Sequence, residues 1–246
     1  MSIRKTTLVE GEYYHVYNRG NGKQKIFLDD EDYERFIKLL YICNSEKKIN
    51  FREEIVNKNI DAFEFKRGQQ IVSMGAWVLM PNHFHVYITI PKGPAFGENK
   101  KEEKNSLNTI SLFINKVCTS YSMYFNRKYK RTGSLFEGRF KSVHIKNDNQ
   151  AKYLFSYIHL NPIKLIQSDW KDIGIKNKKE ALDFLDNYKW GSYLDYLYIE
   201  RKESKILNRE NFLNYFDTKE LFQKEILEWI SPKARPLGDL MDDKIF

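Results

Sequence analysis

The sequence predicts an α+β fold, in which a ferredoxin-like four-stranded antiparallel sheet with helices is followed by a helical C-terminal extension. The first observation is the order of segments with strand or helix periodicity: strand, helix, two strands, helix, strand, helix. The second is the short break at Pro81-Asn82 between two apolar segments, which is typical of an antiparallel hairpin. The length of 246 residues, of which 41% are hydrophobic, suits one domain plus an extension.

The first strand and the first helix are marked by their composition and by the signals at their ends. Residues 13–17 are aromatic and β-branched and are followed by the turn sequence NRGNG. Asp29 or Asp30 is suited to cap a helix that runs to about Cys43, with apolar side chains at helical spacing.

The middle of the chain is predicted to hold a loop, the hairpin and a long helix. Residues 44–65 are polar and charged and indicate an irregular segment. Residues 71–80 and 83–90 are the two strands of the hairpin. Residues 105–124 have apolar side chains every three or four positions, as an amphipathic helix does.

One more strand and one more helix complete the sheet domain. Residues 140–145 form the strand, and the helix begins at Asn147 or Asp148. The helix should end near Asn161, because Pro162 disfavours helical geometry in the residue before it. The ferredoxin-like order places two helices on one face, and we expect this extra helix to pack beside that unit.

The charge balance points to a polyanionic partner. The chain has 41 Lys and Arg against 33 Asp and Glu, a formal net charge of +8, although a merely soluble basic protein has the same balance. Cys43 and Cys118 lie far apart, outside any Cys-x-x-Cys pair, which argues against a zinc ribbon or a disulfide framework. No apolar run approaches the roughly 18 residues of a membrane span, so we expect a cytoplasmic protein without a membrane partner.

The sequence His83-Phe84-His85 predicts a candidate metal site. Residues two apart in a strand point to the same face, so the two imidazoles stand side by side and Phe84 points to the core on the other face. Imidazole is the commonest protein metal ligand at neutral pH. The alternative is a pair of ordinary strand histidines, because His-x-His is a short pattern.

Tyr157 is a candidate nucleophile on the last helix of the sheet domain. Tyr153, Tyr157 and Asn161 are spaced four apart and share one helix face. A tyrosine hydroxyl can attack phosphorus and form a phosphotyrosine. The alternatives are a half-buried core tyrosine and an asparagine that terminates the helix before proline.

A basic and aromatic segment between residues 121 and 141 is a candidate surface for single-stranded nucleic acid. Cations bind phosphates and aromatic rings stack on bases, while Gly133 and Gly138 allow a close backbone approach. The alternative is a solvated helix end followed by a loop. The candidate DNA-binding residues are Arg19, Arg127, Lys128, Tyr129, Lys130, Arg131, Arg139 and Lys141.

Four motifs in order resemble those of the IS200-like single-tyrosine transposases, most closely the branch associated with repetitive extragenic palindromes (REP). They are YHVYNRG at 14–20, MPNHFH at 80–85, RTGSLFEGRF at 131–140 and YIHLNP at 157–162, and YKWGSY at 188–193 resembles the family's closing motif. The resemblance covers roughly residues 9–195, with residues 44–70 as an insertion. It implies a domain at 1–195, followed by a helical extension and tail at 196–246.

The resemblance also implies an activity. His83 and His85 match the metal pair of a His-hydrophobic-His endonuclease, Tyr157 matches the nucleophile, and Asn161 matches a third polar ligand that is Gln in some members. The expected cofactor is Mg²⁺ or Mn²⁺. The expected enzyme is a transposase that cuts and rejoins single-stranded DNA at hairpin-bearing ends through a 5′-phosphotyrosine.

Two other functions remain open from the sequence. One is a non-catalytic nucleic-acid-binding module derived from a transposase, and the other is a metal nuclease that uses water. Relatives work as monomers or as dimers with shared sites, and the long extension favours a monomer here.

Overall fold

Four segments rich in aromatic and β-branched residues pair into one antiparallel sheet, as the sequence predicts. The computed structural model describes residues 8–91, 109–212 and 218–228. The strands lie in the order β2-β3-β1-β4, with helices after β1 and β3, which is the ferredoxin-like arrangement. The predicted fold class is therefore confirmed. The strands are β1 (Tyr13–Arg19), β2 (Ser73–Met80), β3 (His83–Thr89) and β4 (Lys141–Ile145).

The helices begin and end close to the sequence signals. Asp29 caps the first helix by accepting from the Asp32 N–H, and Asn147 caps the helix after β4 by accepting from the Gln150 N–H. The helices are α1 (Asp30–Ile42), α2 (Thr109–Lys128), α3 (Asp148–Leu160), α4 (Trp170–Ile173), α5 (Lys178–Asp186), α6 (Tyr193–Tyr196) and α7 (Lys219–Glu228).

Three boundaries differ from the predicted ones or lie outside the described ranges. Residues 105–108, the predicted start of the long helix, are outside them. Helix α2 runs past its predicted end at Tyr124 to Lys128, so Arg127 and Lys128 lie in its last turn. The predicted irregular segment contains a π-helical turn at Arg52–Val56 and a 3₁₀ turn at Ala62–Glu64.

One face of the sheet packs mainly on apolar side chains. Phe84 and Val86 of β3 and Val16 of β1 point to this face, where α1 and α2 cover them. Phe36 of α1 contacts Phe84 with ring centroids 5.0 Å apart, and Phe113 of α2 is fully buried in the same cluster. This core is the main source of the burial that holds the sheet and the two helices together.

Helix α3, the extra helix that the sequence places beside the ferredoxin-like unit, packs across the opposite face of the sheet. Leu154 and Ile158 of α3 share a second core with Val78 and Tyr87, which point away from the first core. Side chains alternate along β3, so the residues between those of the first core point to α3. Those residues include His83 and His85, and the helix with Tyr157 therefore faces them.

The chain after α5 closes the second core. Backbone bonds run from the Leu79 N–H to the Trp190 carbonyl and from the Ser192 N–H to the Trp77 carbonyl, so the YKWGSY motif lines the edge of β2. Phe222 of α7 is buried against α3.

The predicted domain boundary at residue 195 stays a prediction. Described residues on both sides of it pack on the same sheet. Within the described ranges, no helix is long and apolar enough to cross a membrane.

Candidate active site

The two histidines of β3 each engage one ring nitrogen in a defined hydrogen bond. His83 Nδ1 lies 2.6 Å from Asn82 Oδ1, and an amide oxygen can only accept, so Nδ1 of His83 carries the proton. His85 Nδ1 lies 2.8 Å from Nε2 of His15, which is on the neighbouring strand β1. In both residues Nε2 is therefore the nitrogen left to bind a metal. The two imidazole centroids are 5.0 Å apart.

Strand pairing explains why a third histidine joins the pair. In the antiparallel register His15 lies opposite Tyr87 and Tyr17 lies opposite His85, so all four side chains leave the same face. The His15 ring stacks on His85 with centroids 4.9 Å apart. His15 belongs to a quoted sequence motif, but its place beside His85 depends on a register that the sequence does not show.

Burial keeps these imidazoles neutral. The pKa of His83 and that of His15 are each lowered to about 3, chiefly because burial disfavours the charged ring. The pKa of His85 is lowered well below its usual value, again by burial first and then by the two neighbouring histidines. A neutral imidazole is the form that binds metals, so the three rings are in the required state at neutral pH.

Helix α3 brings Tyr157 and Asn161 to the same place. The Tyr157 ring lies edge-on to His85 with centroids 5.4 Å apart and to His15 with centroids 6.2 Å apart. One turn later, Asn161 is buried and its amide interacts with His83, an effect that opposes the fall in the His83 pKa. The structure thus brings together the predicted nucleophile and all three predicted metal ligands.

The donor set fits a divalent cation. Nε2 of His83, Nε2 of His85 and Oδ1 of Asn161 are all buried side-chain atoms. Two imidazoles and one amide oxygen suit Mn²⁺ better than Mg²⁺, which prefers a shell of oxygens. In the described part of the chain, no group of three or more His, Cys, Asp or Glu side chains could hold a metal.

Cations surround this site. Lys164 follows Asn161 in a 3₁₀ turn, and Lys171 lies in α4. Both lower the pKa of His83 after burial does, and Arg19 adds to this effect. Lys171 Nζ also donates to the Tyr157 hydroxyl at 2.9 Å. Lys164 and Lys171 escaped the sequence analysis because isolated lysines carry no pattern. The positive charge suits a phosphate.

The predicted DNA-binding residues divide into exposed and engaged ones. Lys128 is held by the carboxylates of Asp29, Glu31 and Asp32 at 2.7–3.0 Å, and the Tyr129 hydroxyl donates to Asp32. The Lys128 ammonium and the Tyr129 hydroxyl are therefore directed toward other side chains of the protein. Arg127, Lys130, Arg139 and Lys141 are exposed.

The loop that carries part of this basic segment is tied to the end of β1 beside the histidines. The Glu137 N–H donates to the Arg19 carbonyl, and Arg19 lies opposite His83 in the sheet. The Arg19 guanidinium forms a two-point ion pair with the Glu137 carboxylate. Arg131 is partly buried, with its guanidinium 5.5 Å from the centroid of Phe125.

The chain matches no protein-family model and no curated protein. Among solved structures, it is similar to one described as a REP-associated tyrosine transposase bound to a REP hairpin, with a TM-score of 0.46 and 13% identity over 82% of this chain and 90% of that one. It is also similar to a bacterial tRNA(His) guanylyltransferase (Thg1)-like protein in complex with ATP, with a TM-score of 0.36 and 15% identity over 75% and 73% of the two chains. Both similarities are too weak to carry an argument about function.

Proposed function

We propose that this protein is a metal-dependent transposase that cuts and rejoins single-stranded DNA at hairpin-bearing ends through Tyr157. The observation that carries the proposal is the meeting of Tyr157 with His83, His85 and Asn161 between α3 and the sheet. A nucleophilic hydroxyl beside a metal-binding set is what phosphodiester transfer requires. The motif resemblance to the single-tyrosine transposases supports the same reaction.

The residues have distinct tasks in this reaction. His83, His85 and Asn161 would hold Mg²⁺ or Mn²⁺, which when bound would neutralise charge on the scissile phosphate. The Tyr157 oxygen forms a bond to phosphorus while the bond from phosphorus to the 3′ oxygen breaks. The proton lost from the phenol is balanced by the one that the released 3′ oxygen takes up. The products are a 5′-phosphotyrosine and a 3′ hydroxyl.

The covalent product explains rejoining without ATP. The phosphotyrosine retains the energy of the phosphodiester, so a second 3′ hydroxyl can attack it in the reverse of the first step. The Tyr157 side chain is 1% exposed and His85 is 0% exposed, so DNA binding has to rearrange side chains over the site. The exposed Arg127, Lys130 and Arg139 would bind the backbone of the strand.

The test is to incubate the protein with labelled single-stranded DNA from the flanks of its own gene, with Mg²⁺ or Mn²⁺, and to separate the products on a denaturing gel. We expect a metal-dependent covalent protein–DNA band that is absent in Tyr157→Phe. The matched control is Tyr153→Phe, which makes the same chemical change one turn earlier on α3 and should keep the band.

The other outcomes select the other functions. Cleavage that persists in Tyr157→Phe without a covalent band would show a nuclease that uses water. Binding of hairpin-bearing DNA with no cleavage under either metal would show a non-catalytic nucleic-acid-binding module. Either result would refute the proposed reaction.

A further inference from the structure

The candidate nucleophile has a cationic partner that the sequence motifs do not include. Lys171 Nζ donates a hydrogen bond to the Tyr157 hydroxyl at 2.9 Å and lies 4.4 Å from the centroid of the Tyr157 ring. The two residues are fourteen positions apart and belong to different helices, α4 and α3. The contact is therefore a tertiary contact between two helices, and it does not arise from the spacing of residues along one helix.

Burial and hydrogen bonds around α4 hold Lys171 in this place. Trp170, the residue before it, is fully buried in the core under α3. The Gln167 side chain bridges the loop: its amide N–H donates to the Gly174 carbonyl at 2.8 Å, and its carbonyl accepts from the Lys176 N–H at 3.0 Å. A partner fixed in this way needs little reorganisation when charge develops at the tyrosine oxygen.

We propose that Lys171 is a catalytic residue that stabilises the negative charge on the Tyr157 oxygen, both when it attacks the phosphodiester and when it leaves. The inference rests on the proposed function and adds a residue to it. In cutting, the phenolic oxygen becomes more negative as it loses its proton and bonds to phosphorus. In joining, the same oxygen departs from phosphorus as the new 3′ ester bond forms, and it regains a proton.

The geometry distinguishes this role from simple phosphate binding. The ammonium donates directly to the reacting oxygen, and the Tyr157 ring itself lies edge-on to the rings of His85 and His15. The same charge also acts on the three buried imidazoles. A positive group is expected to stabilise the two directions of the reaction equally, since they share one transition state.

The test compares Lys171→Met, Lys171→Arg and Lys176→Met. Lys176 lies in the same loop, but it pairs with Asp169 at the surface and its side chain is 64% exposed, so its replacement is a matched loss of charge. The readouts are the single-turnover rate of covalent-adduct formation at saturating hairpin DNA, the rate of joining, and the Kd for uncleaved DNA. Thermal unfolding of each variant verifies that it is folded.

We expect Lys171→Met to slow cutting and joining together, each by about 10²-fold, as the loss of one charge-stabilising donor does in other enzymes. The Kd should stay near that of the wild type, Lys171→Arg should recover most of the rate, and Lys176→Met should behave as the wild type. A wild-type rate in Lys171→Met would overturn the inference. A raised Kd with an unchanged rate at saturation would also overturn it, because it would make Lys171 a phosphate ligand only.

A second measurement separates this inference from the proposed function. In the free protein, the ring current of Tyr157 should shift the NMR signals of the Lys171 ε-methylene protons upfield, and the shift should shrink in Tyr157→Phe, which removes the hydrogen-bond acceptor. Absence of the shift would refute the contact itself. If the shift is present but the wild-type protein forms no covalent adduct with DNA through Tyr157, the proposed function is refuted, and the catalytic role of Lys171 with it.

Discussion

The two faces of the sheet bury different kinds of side chain, and this gives the faces different roles. On the face covered by α1 and α2, the strand residues that enter the core, such as Phe84 and Val86, are apolar. On the face covered by α3, apolar residues surround His15, His83 and His85, which are all buried. Burial of polar rings costs free energy unless hydrogen bonds compensate. The first face therefore contributes mainly to the stability of the fold. The second face contributes less stability, because it buries the polar side chains of the candidate site.

The largest effect should come from the apolar face. Phe84→Ala removes a fully buried ring that contacts Phe36 and Phe136, so it should lower the free energy of unfolding by about 3–5 kcal/mol. Denaturant unfolding of the variant and the wild type measures this difference. A loss below about 1 kcal/mol would mean that the first core does not hold the sheet.

The matched change on the other face replaces His83, the residue next to Phe84 in β3. His83→Leu keeps an apolar side chain of similar size and leaves the Asn82 Oδ1 near solvent, so stability should change by less than about 1 kcal/mol. Binding of Mn²⁺, measured by calorimetry, should be lost. Retained Mn²⁺ binding would show that His83 is not a metal ligand.

A smaller effect should follow from the replacement of His15, which contacts His85 of the candidate metal-binding pair. If His85 binds metal through Nε2, its proton lies on Nδ1 and is donated to His15 Nε2, which fixes the orientation of the ring. His15→Phe should therefore weaken Mn²⁺ affinity by about 10- to 100-fold. Calorimetric titration measures this change.

The control for His15 is His144→Phe. His144 is in β4 and pairs with Glu12, at a position whose side chain points to the other face of the sheet. The His144→Phe substitution should leave the Mn²⁺ affinity unchanged. Equal losses in the two variants would indicate a general disturbance of the sheet instead of a positioning role for His15.

A different kind of effect should appear in the pH dependence of stability. His159 is buried and bonded to the Phe155 carbonyl and the Ser192 hydroxyl, and burial lowers its pKa from 6.5 to about 3. The folded state thus binds its proton less readily than the unfolded state. The neutral ring contributes stability above about pH 6.5, and this contribution is lost as the pH falls toward 3.

The measurement is urea unfolding of the metal-free protein and of His159→Gln at several pH values in this window. In the wild type, His159 should contribute a slope of at most about 1.4 kcal/mol per pH unit. The slope should be shallower in His159→Gln, although that variant is less stable at neutral pH. Parallel curves would exclude His159 as a source of acid sensitivity.

The local signals of the sequence were reliable for the elements and weaker for their arrangement. Asp29, one of the two candidate caps, caps α1, and Asn147 caps α3 at its predicted start, because capping depends only on neighbouring residues. The prediction that α3 packs beside the ferredoxin-like unit did not say which face of the sheet it covers, since the apolar stripe of α3 is compatible with either face. Its own residues do not say which face of the sheet has a complementary surface.

The sequence by itself determined the ferredoxin-like class, which follows from the periodicity of its segments. The resemblance of its motifs to those of the single-tyrosine transposases named the histidine pair, Tyr157 and Asn161 as residues of one site. Only the tertiary structure decided that His15 lies within hydrogen-bond distance of His85, that Lys128 is enclosed by carboxylates, and that Lys171 reaches the Tyr157 hydroxyl. The physical reason is that strand register and loop packing set these contacts, and neither is specified by the residues that meet.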